Sequence, residues 1–139
     1  MIISESADIA RVLTEARVIA VVGLSARPEG PSYRVAQFML ARGYRIVPVN
    51  PQYAEIFGQT CYPQLSSIPF AVDMVDVFRQ SEHVLPVAEA AIAIGAKCLW
   101  LQLGVIHPAA IALADAAGLN VVVDRCTKVE YARLFGLAR

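Results

Sequence analysis

The residues with most chemistry to offer lie between Val18 and Ser32, in the stretch VIAVVGLSARPEGPS. An apolar run from Val18 to Val22 stops at Gly23, a loop of small and turn-forming residues follows, and a helix signal begins at Pro31 and Ser32. Such a loop brings unpaired backbone N–H groups to the carboxyl end of a strand, where the positive end of the helix dipole also lies. That setting suits phosphate. Similar residues follow each later apolar run: Asn50 and Pro51, then Phe78 and Arg79, then Gln102 and Gly104, then Asp124, Arg125 and Cys126. Together with Leu24, Ser25, Ala26 and Arg27 of the first loop, they would gather at one edge of a sheet. Strand ends are commonly polar, so the informative residues are the arginines. Arginine accounts for 10 of the 12 basic residues and is the better bidentate phosphate ligand.

The first loop departs from a dinucleotide fingerprint. Gly23 stands for the tight turn, but Ser25 occupies the second glycine's place and Pro28 the third's. Ser25 restricts backbone approach to a pyrophosphate while offering a hydroxyl. The second strand ends Val49-Asn50, with no acidic residue for a ribose 2′-OH, which counts against NAD. No GxSxG, HExxH or Walker loop is present. Cys61, Cys98 and Cys126 form no CxxC, so neither a zinc site nor a disulfide framework is expected. Cys126 is the one candidate nucleophile, where Arg125 or a helix N-terminus would lower its pKa; the alternative is a half-buried small residue. Cys61, Cys98 and Trp100 read as structural. His107 precedes Pro108 at a helix start and reads as a capping or surface residue, as does His83. Asp73 and Asp76, three apart in one apolar run, face opposite sides of a strand and make no catalytic pair.

The positioning elements follow from periodicity. Ile9, Val12, Leu13 and Ala16 mark an opening helix with Ser4 or Ser6 as N-cap. Strands are expected over 18–22, 45–49, 71–78, 97–103 and 119–123. Helices are expected over 32–42, 84–94, from His107-Pro108 to Gly118, and 128–137. Residues 52–68 read as irregular or a short helix. Near-continuous Val/Ile strands alternating with helices predict an α/β fold: one doubly wound, Rossmann-like domain over 1–139 with a mostly parallel five-stranded sheet. A hydrophobic share of 57% with 17% charged residues rules out disorder, and zero net charge gives no reason to expect nucleic acid. No signal-peptide pattern and no apolar run of roughly 18 residues is seen. A cytoplasmic protein away from membranes is expected.

Five ordered stretches carry a resemblance: VVGLSARPEGPSYRVAQFML (21–40), GYRIVPVNP (43–51), VDMVDVFR (72–79), AIGAKCLWLQLGV (93–105) and VVVDRCTKVEY (121–131). The chain resembles the small stand-alone CoA-binding domain proteins, whose fold is similar to the N-terminal domain of the succinyl-CoA synthetase α-subunit. The resemblance implies CoA or acyl-CoA as ligand. Gly23, Leu24, Ser25, Ala26 and Arg27 would hold its phosphates with Ser32 and Arg34. Asn50 and Pro51 would flank the nucleotide, Phe78 and Arg79 the adenine and ribose, and Gln102 and Gly104 the pantetheine path. Arg125 and Cys126 complete the expected set. The synthetase's histidine-bearing second domain has no counterpart here. The expected function is a non-catalytic sensor or carrier, with an unknown protein partner or a homodimer. The alternatives are a nicotinamide-nucleotide oxidoreductase and a ligase-like enzyme component. Gly23→Val is expected to abolish binding while leaving the fold largely intact.

Overall fold

The computed structural model describes residues 1–136. Helix α1 spans Ser6–Glu15 and turns Ile9, Val12 and Leu13 inward. Neither expected serine caps it. Glu5 holds the N-cap position without a side-chain bond, and Ser6 Oγ instead accepts from Arg133 Nη1 at 3.0 Å. Strand β1, Val18–Val22, follows at once, and α2 covers Pro31–Ala41 with Gly30 as N-cap and Pro31 pre-set for the first turn. Gly43, just beyond the helix, takes φ +95° and releases the chain into β2, Arg45–Val49.

The segment expected to be irregular holds a small hairpin, β3 (Glu55–Ile56) and β4 (Gln59–Thr60), then a single 3-10 turn at Leu65–Ser67. Phe57 and Gly58 join the hairpin with φ +58° and +70°, the geometry of a two-residue turn that matches strand twist. Phe57 is an uncommon residue there, and its ring lies 4.5 Å from that of Tyr33.

Strand β5 is shorter than expected, Met74–Val77. Asp73 lies before it, with Oδ2 accepting the N–H groups of Arg17 and Val18, each at 2.9 Å. Then come α3 (Val84–Ala93), β6 (Cys98–Leu101), α4 (Pro108–Ala116), β7 (Asn120–Val122) and α5 (Thr127–Phe135). The expected end of this last helix, Leu137, lies outside the described residues.

The sheet is parallel throughout, in the order β2-β1-β5-β6-β7. Alternation along the strands sorts the core in two. Ile19, Val21, Ile46, Met74, Trp100 and Val122 face α1, α2 and α5. Ala20, Val22, Val47, Val75, Leu99 and Val121 face α3 and α4. Trp100 is fully buried and donates from Nε1 to the Arg125 carbonyl at 2.7 Å; burying an indole stabilises by roughly 4–6 kcal/mol as an upper bound. On the other face the helices contribute small residues, with Ala88, Ala91, Ala110 and Ala114 all fully buried. Ala114→Leu therefore has no space to enter. It should cost about 1–3 kcal/mol in urea unfolding, and an unchanged midpoint would show that α3 and α4 are loosely apposed.

Candidate functional site at the carboxyl edge of the sheet

The chain leaves β1 for β2 on one side and reaches β5 on the other, so strand order reverses between β1 and β5. Ligands of open parallel sheets bind outside the carboxyl ends of the strands at this point. Here the two strand ends are drawn together. Phe78 N–H donates to the Val22 carbonyl and Gly23 N–H to the Val49 carbonyl, both at 2.9 Å. A Cβ on Gly23 would lie 2.2 Å from the Phe78 carbonyl oxygen, and its φ is +87°. Only glycine fits both demands. The expectation that Gly23→Val spares the fold is therefore wrong: the new side chain would strike backbone, and the strand ends would have to part.

The loop after Gly23 is braced by its own polar groups. Ser25 N–H donates to Ser32 Oγ at 3.0 Å, and Arg27 N–H donates to Ser25 Oγ at 3.2 Å. The Ser25 and Tyr53 hydroxyls are 3.5 Å apart. Leu24 is fully buried; its carbonyl accepts from Asn50 Nδ2 at 3.1 Å, while Asn50 Oδ1 accepts from Gln52 N–H at 2.9 Å. Asn50 thus ties the first two loops together. The N–H groups of Leu24 and Ala26 have no hydrogen-bond partner among the described residues; Leu24 is fully buried, so it is the partly exposed Ala26 that can offer its N–H to an anion near the start of α2.

Two hollows open from this edge. One, of about 450 Å³, is lined by Gly23, Ser32, Phe78, Arg79, Gln102 and Cys126, among others. The second, of about 210 Å³, has Val22, Val49, Pro51, Leu65 and Val87 in its wall together with Gln64. Arg79 lines both. Another hollow of about 260 Å³, beside Arg17, Gly43 and Tyr44, sits at the amino ends of β1 and β2, away from the strand-end loops.

The remaining expected residues divide. Arg27 and Arg34 are exposed near the loop, Arg27 paired with Glu29 at 3.1 Å. Gly104 lies exposed, its N–H donating to Asp124 Oδ1 at 2.6 Å. Arg125 is not brought into either hollow: Nη1 donates to Glu130 Oε1 at 3.2 Å and Nη2 to the Ser4 carbonyl at 3.3 Å. Cys126 is buried, more so than expected, and holds the N-cap position of α5. Cys61 and Cys98 are buried as anticipated, and burial pushes both thiols upward. His107 caps α4, its Nδ1 accepting from Ala110 N–H at 3.1 Å, whereas His83 is an exposed side chain without a cap bond. Among the described residues no group of metal-ligating side chains occurs.

Sequence reasoning missed the polar floor. Asp76, 2% exposed, accepts from Gln102 Nε2 at 2.7 Å, and the same Nε2 lies 3.2 Å from Thr127 Oγ1. Thr127 Oγ1 in turn stands 3.5 Å from Asp76 Oδ2. Burial pushes the Asp76 carboxyl from 3.8 to about 7, against the opposing pull of the Gln102 and Thr127 hydrogen bonds. The available signal was a carboxylate inside the apolar run MVDV (74–77).

An all-parallel sheet with helices on both faces and a donor loop at the switch point defines a Rossmann-like α/β domain. The chain belongs to the CoA binding domain family, matching it over residues 17–132. It is 38% identical over 126 residues to the uncharacterized protein YneT of Bacillus subtilis (strain 168), covering 91% of this chain and 93% of that one. A hypothetical protein from Pyrococcus horikoshii OT3 superposes with a TM-score of 0.93 at 38% identity, over 96% of this chain and 94% of the other. The dinucleotide-forming acetyl-coenzyme A synthetase 1 of Ca. Korarchaeum cryptofilum matches with a TM-score of 0.69 at 25% identity, over 82% of this chain but only 27% of the synthetase. Among the described residues, no helix is long and apolar enough to cross a membrane.

Two outcomes are expected. Gly23→Ala should destabilise by on the order of 2–6 kcal/mol, combining clash and left-handed strain. Gly43→Ala, with open space around its Cβ, should lose only about 1–2 kcal/mol; equal losses in urea unfolding would remove the clash from the account. The second concerns pH. Asp76 holds its proton to a higher pH in the folded chain than in the unfolded one, so its contribution to stability is full below about pH 3.8 and is lost as pH rises through about 7. Wild type should lose on the order of a few kcal/mol across that window. Asp76→Asn should flatten the decline, and parallel pH profiles of the two proteins would refute this origin.

Proposed function

We propose that the protein binds CoA or acyl-CoA reversibly, as a sensor or carrier without turnover of its own. One observation supports this most directly: Arg79 lines both of the hollows at the carboxyl edge of the sheet, and the larger one is also lined by Gly23, Ser32 and Gln102. CoA has two parts to place there, a nucleotide end and a long arm. Its pyrophosphate would meet the free N–H of Ala26 with Ser25 and Ser32 in support. Its adenosine would enter the smaller hollow beside Pro51 and Arg79, with Phe78 in the wall of the larger one. The pantetheine arm would run over Gln102 towards Gly104 and past Cys126. Arg27 and Arg34 would meet the 3′-phosphate from the rim, and Arg125 would act through the fold rather than by contact. The three free, buried thiols fit a reducing, cytoplasmic setting. A nicotinamide nucleotide is disfavoured because Asn50 stands where an acidic residue would take the ribose and is already occupied as a brace.

A thermal-shift panel of CoA, NAD, NADP, FAD and ATP tests the reading. CoA at a hundredfold excess over its Kd should stabilise the protein by about 2.7 kcal/mol, and the others should act less. Dephospho-CoA should bind more weakly than CoA, and the difference should shrink with added salt, because charge contacts on an exposed rim are screened. Stabilisation by NAD with CoA silent would reverse the conclusion.

A further inference from the structure

Gln102, in the wall of the larger hollow, has hydrogen-bonding capacity left over. It is 4% exposed, and its amide offers two hydrogens and a carbonyl oxygen. Both hydrogens are directed inward, to Asp76 Oδ1 at 2.7 Å and Thr127 Oγ1 at 3.2 Å. Its Oε1 accepts no hydrogen bond among the described residues. With Asp76 ionised, above about pH 7, turning the amide over would set that oxygen against Asp76 Oδ1 at the same short distance, two acceptors face to face. The network therefore holds the amide nitrogen on the inside and the carbonyl towards the crevice.

The surroundings sharpen what this carbonyl can recognise. Val35, Phe78, Leu103 and Val105 make the nearby wall apolar. An acceptor in such a wall, covered by ligand without a donor opposite, loses its water for nothing. A carboxylate or a carbonyl on the ligand would face like against like, with the Asp76 carboxyl beneath. A thiol is a weak donor. A neutral N–H on a slender chain satisfies the oxygen and leaves the apolar wall in contact with methylenes.

We propose that Gln102 is a specificity-determining residue that accepts a hydrogen bond from a secondary amide N–H of the pantetheine arm, with Asp76 and Thr127 as the positioning residues that aim it. This rests on the CoA reading above and adds to it the contact by which the protein tells the full cofactor from its nucleotide end.

The test compares CoA with 3′-phospho-ADP, which carries the nucleotide end without the arm, by calorimetry on the full chain. Gln102→Met should weaken CoA roughly tenfold and leave 3′-phospho-ADP unchanged. Asp76→Asn can face Gln102 with either oxygen or nitrogen, so it releases the amide to turn; it should lower the ratio of CoA to 3′-phospho-ADP affinity several-fold, which a merely structural role would not do. A ligand-side measurement keeps the test independent of folding. CoA analogues with one or other arm amide replaced by an ester should include one that binds wild type roughly tenfold more weakly, with no further loss on Gln102→Met. Equal losses for both nucleotides, or no loss for either ester, overturn this proposal while leaving CoA binding intact. Failure of wild type to bind CoA and 3′-phospho-ADP alike overturns the CoA reading, and this one with it.

Discussion

The contact on which the rest of the site depends is the one between the Cα of Gly23 and the carbonyl of Phe78. At a switch point the connections of neighbouring strands leave for opposite sides of the sheet. Here the missing Cβ lets β1 and β5 stay paired to their last residues, with Phe78 still donating to Val22. The positive φ of Gly23 then turns the chain across the strand ends instead of beyond them. Everything placed afterwards inherits this: the buried Leu24, the Asn50 brace on its carbonyl, and the Ser25–Ser32 bond that ties the loop to α2.

The two faces of the sheet answer different needs. Towards α3 and α4, alanines let helices lie close on valine and leucine. Towards α1, α2 and α5 the same sheet carries aromatic rings, the Trp100 indole held by the Arg125 carbonyl, and the Asp76 floor. A buried carboxylate is unfavourable unless well paired. Gln102, at the crevice, and the fully buried Thr127 behind it supply the pairing. The polar investment of the core is thus confined to the layer that borders the candidate site.

Most of the frame was legible in the residues because burial on both faces writes strands as unbroken apolar runs. β1 and β2 were read to the residue on that basis, and Gly43 announced the end of α2. The strands further along were read too long, for a local reason in the case of β5: Asp73 looks like an interruption within a strand, but its carboxylate is engaged with the N–H groups of Arg17 and Val18 and so stands before it. The hairpin of β3 and β4 was hidden because Phe57 takes the left-handed turn position where asparagine or glycine would have signalled it. Of the site, the loop and its flanking strand ends could be placed from local pattern. The partners of Arg125 and the junction of Asp76, Gln102 and Thr127 could not. The junction is joined by register and by the docking of α5 at separations of 26 and 51 residues, and its local mark is the carboxylate in MVDV, which does not name its partners.

That junction also orders events in time. Helices and the β1–β2 unit can form from contacts made by nearby segments, whereas bringing Thr127 to Asp76 closes a separation of 51 residues, much like the 55 between Val18 and Asp73 where β5 meets β1. During synthesis, residues of β1, β2, β5 and β6 emerge well before α5 does. Until α5 docks, Asp76 has water in place of Thr127, and the Gln102 amide has no fixed direction. A growing chain therefore holds most of its strands before the residues that complete its selectivity. The step that completes the core is the same step that makes the crevice able to choose.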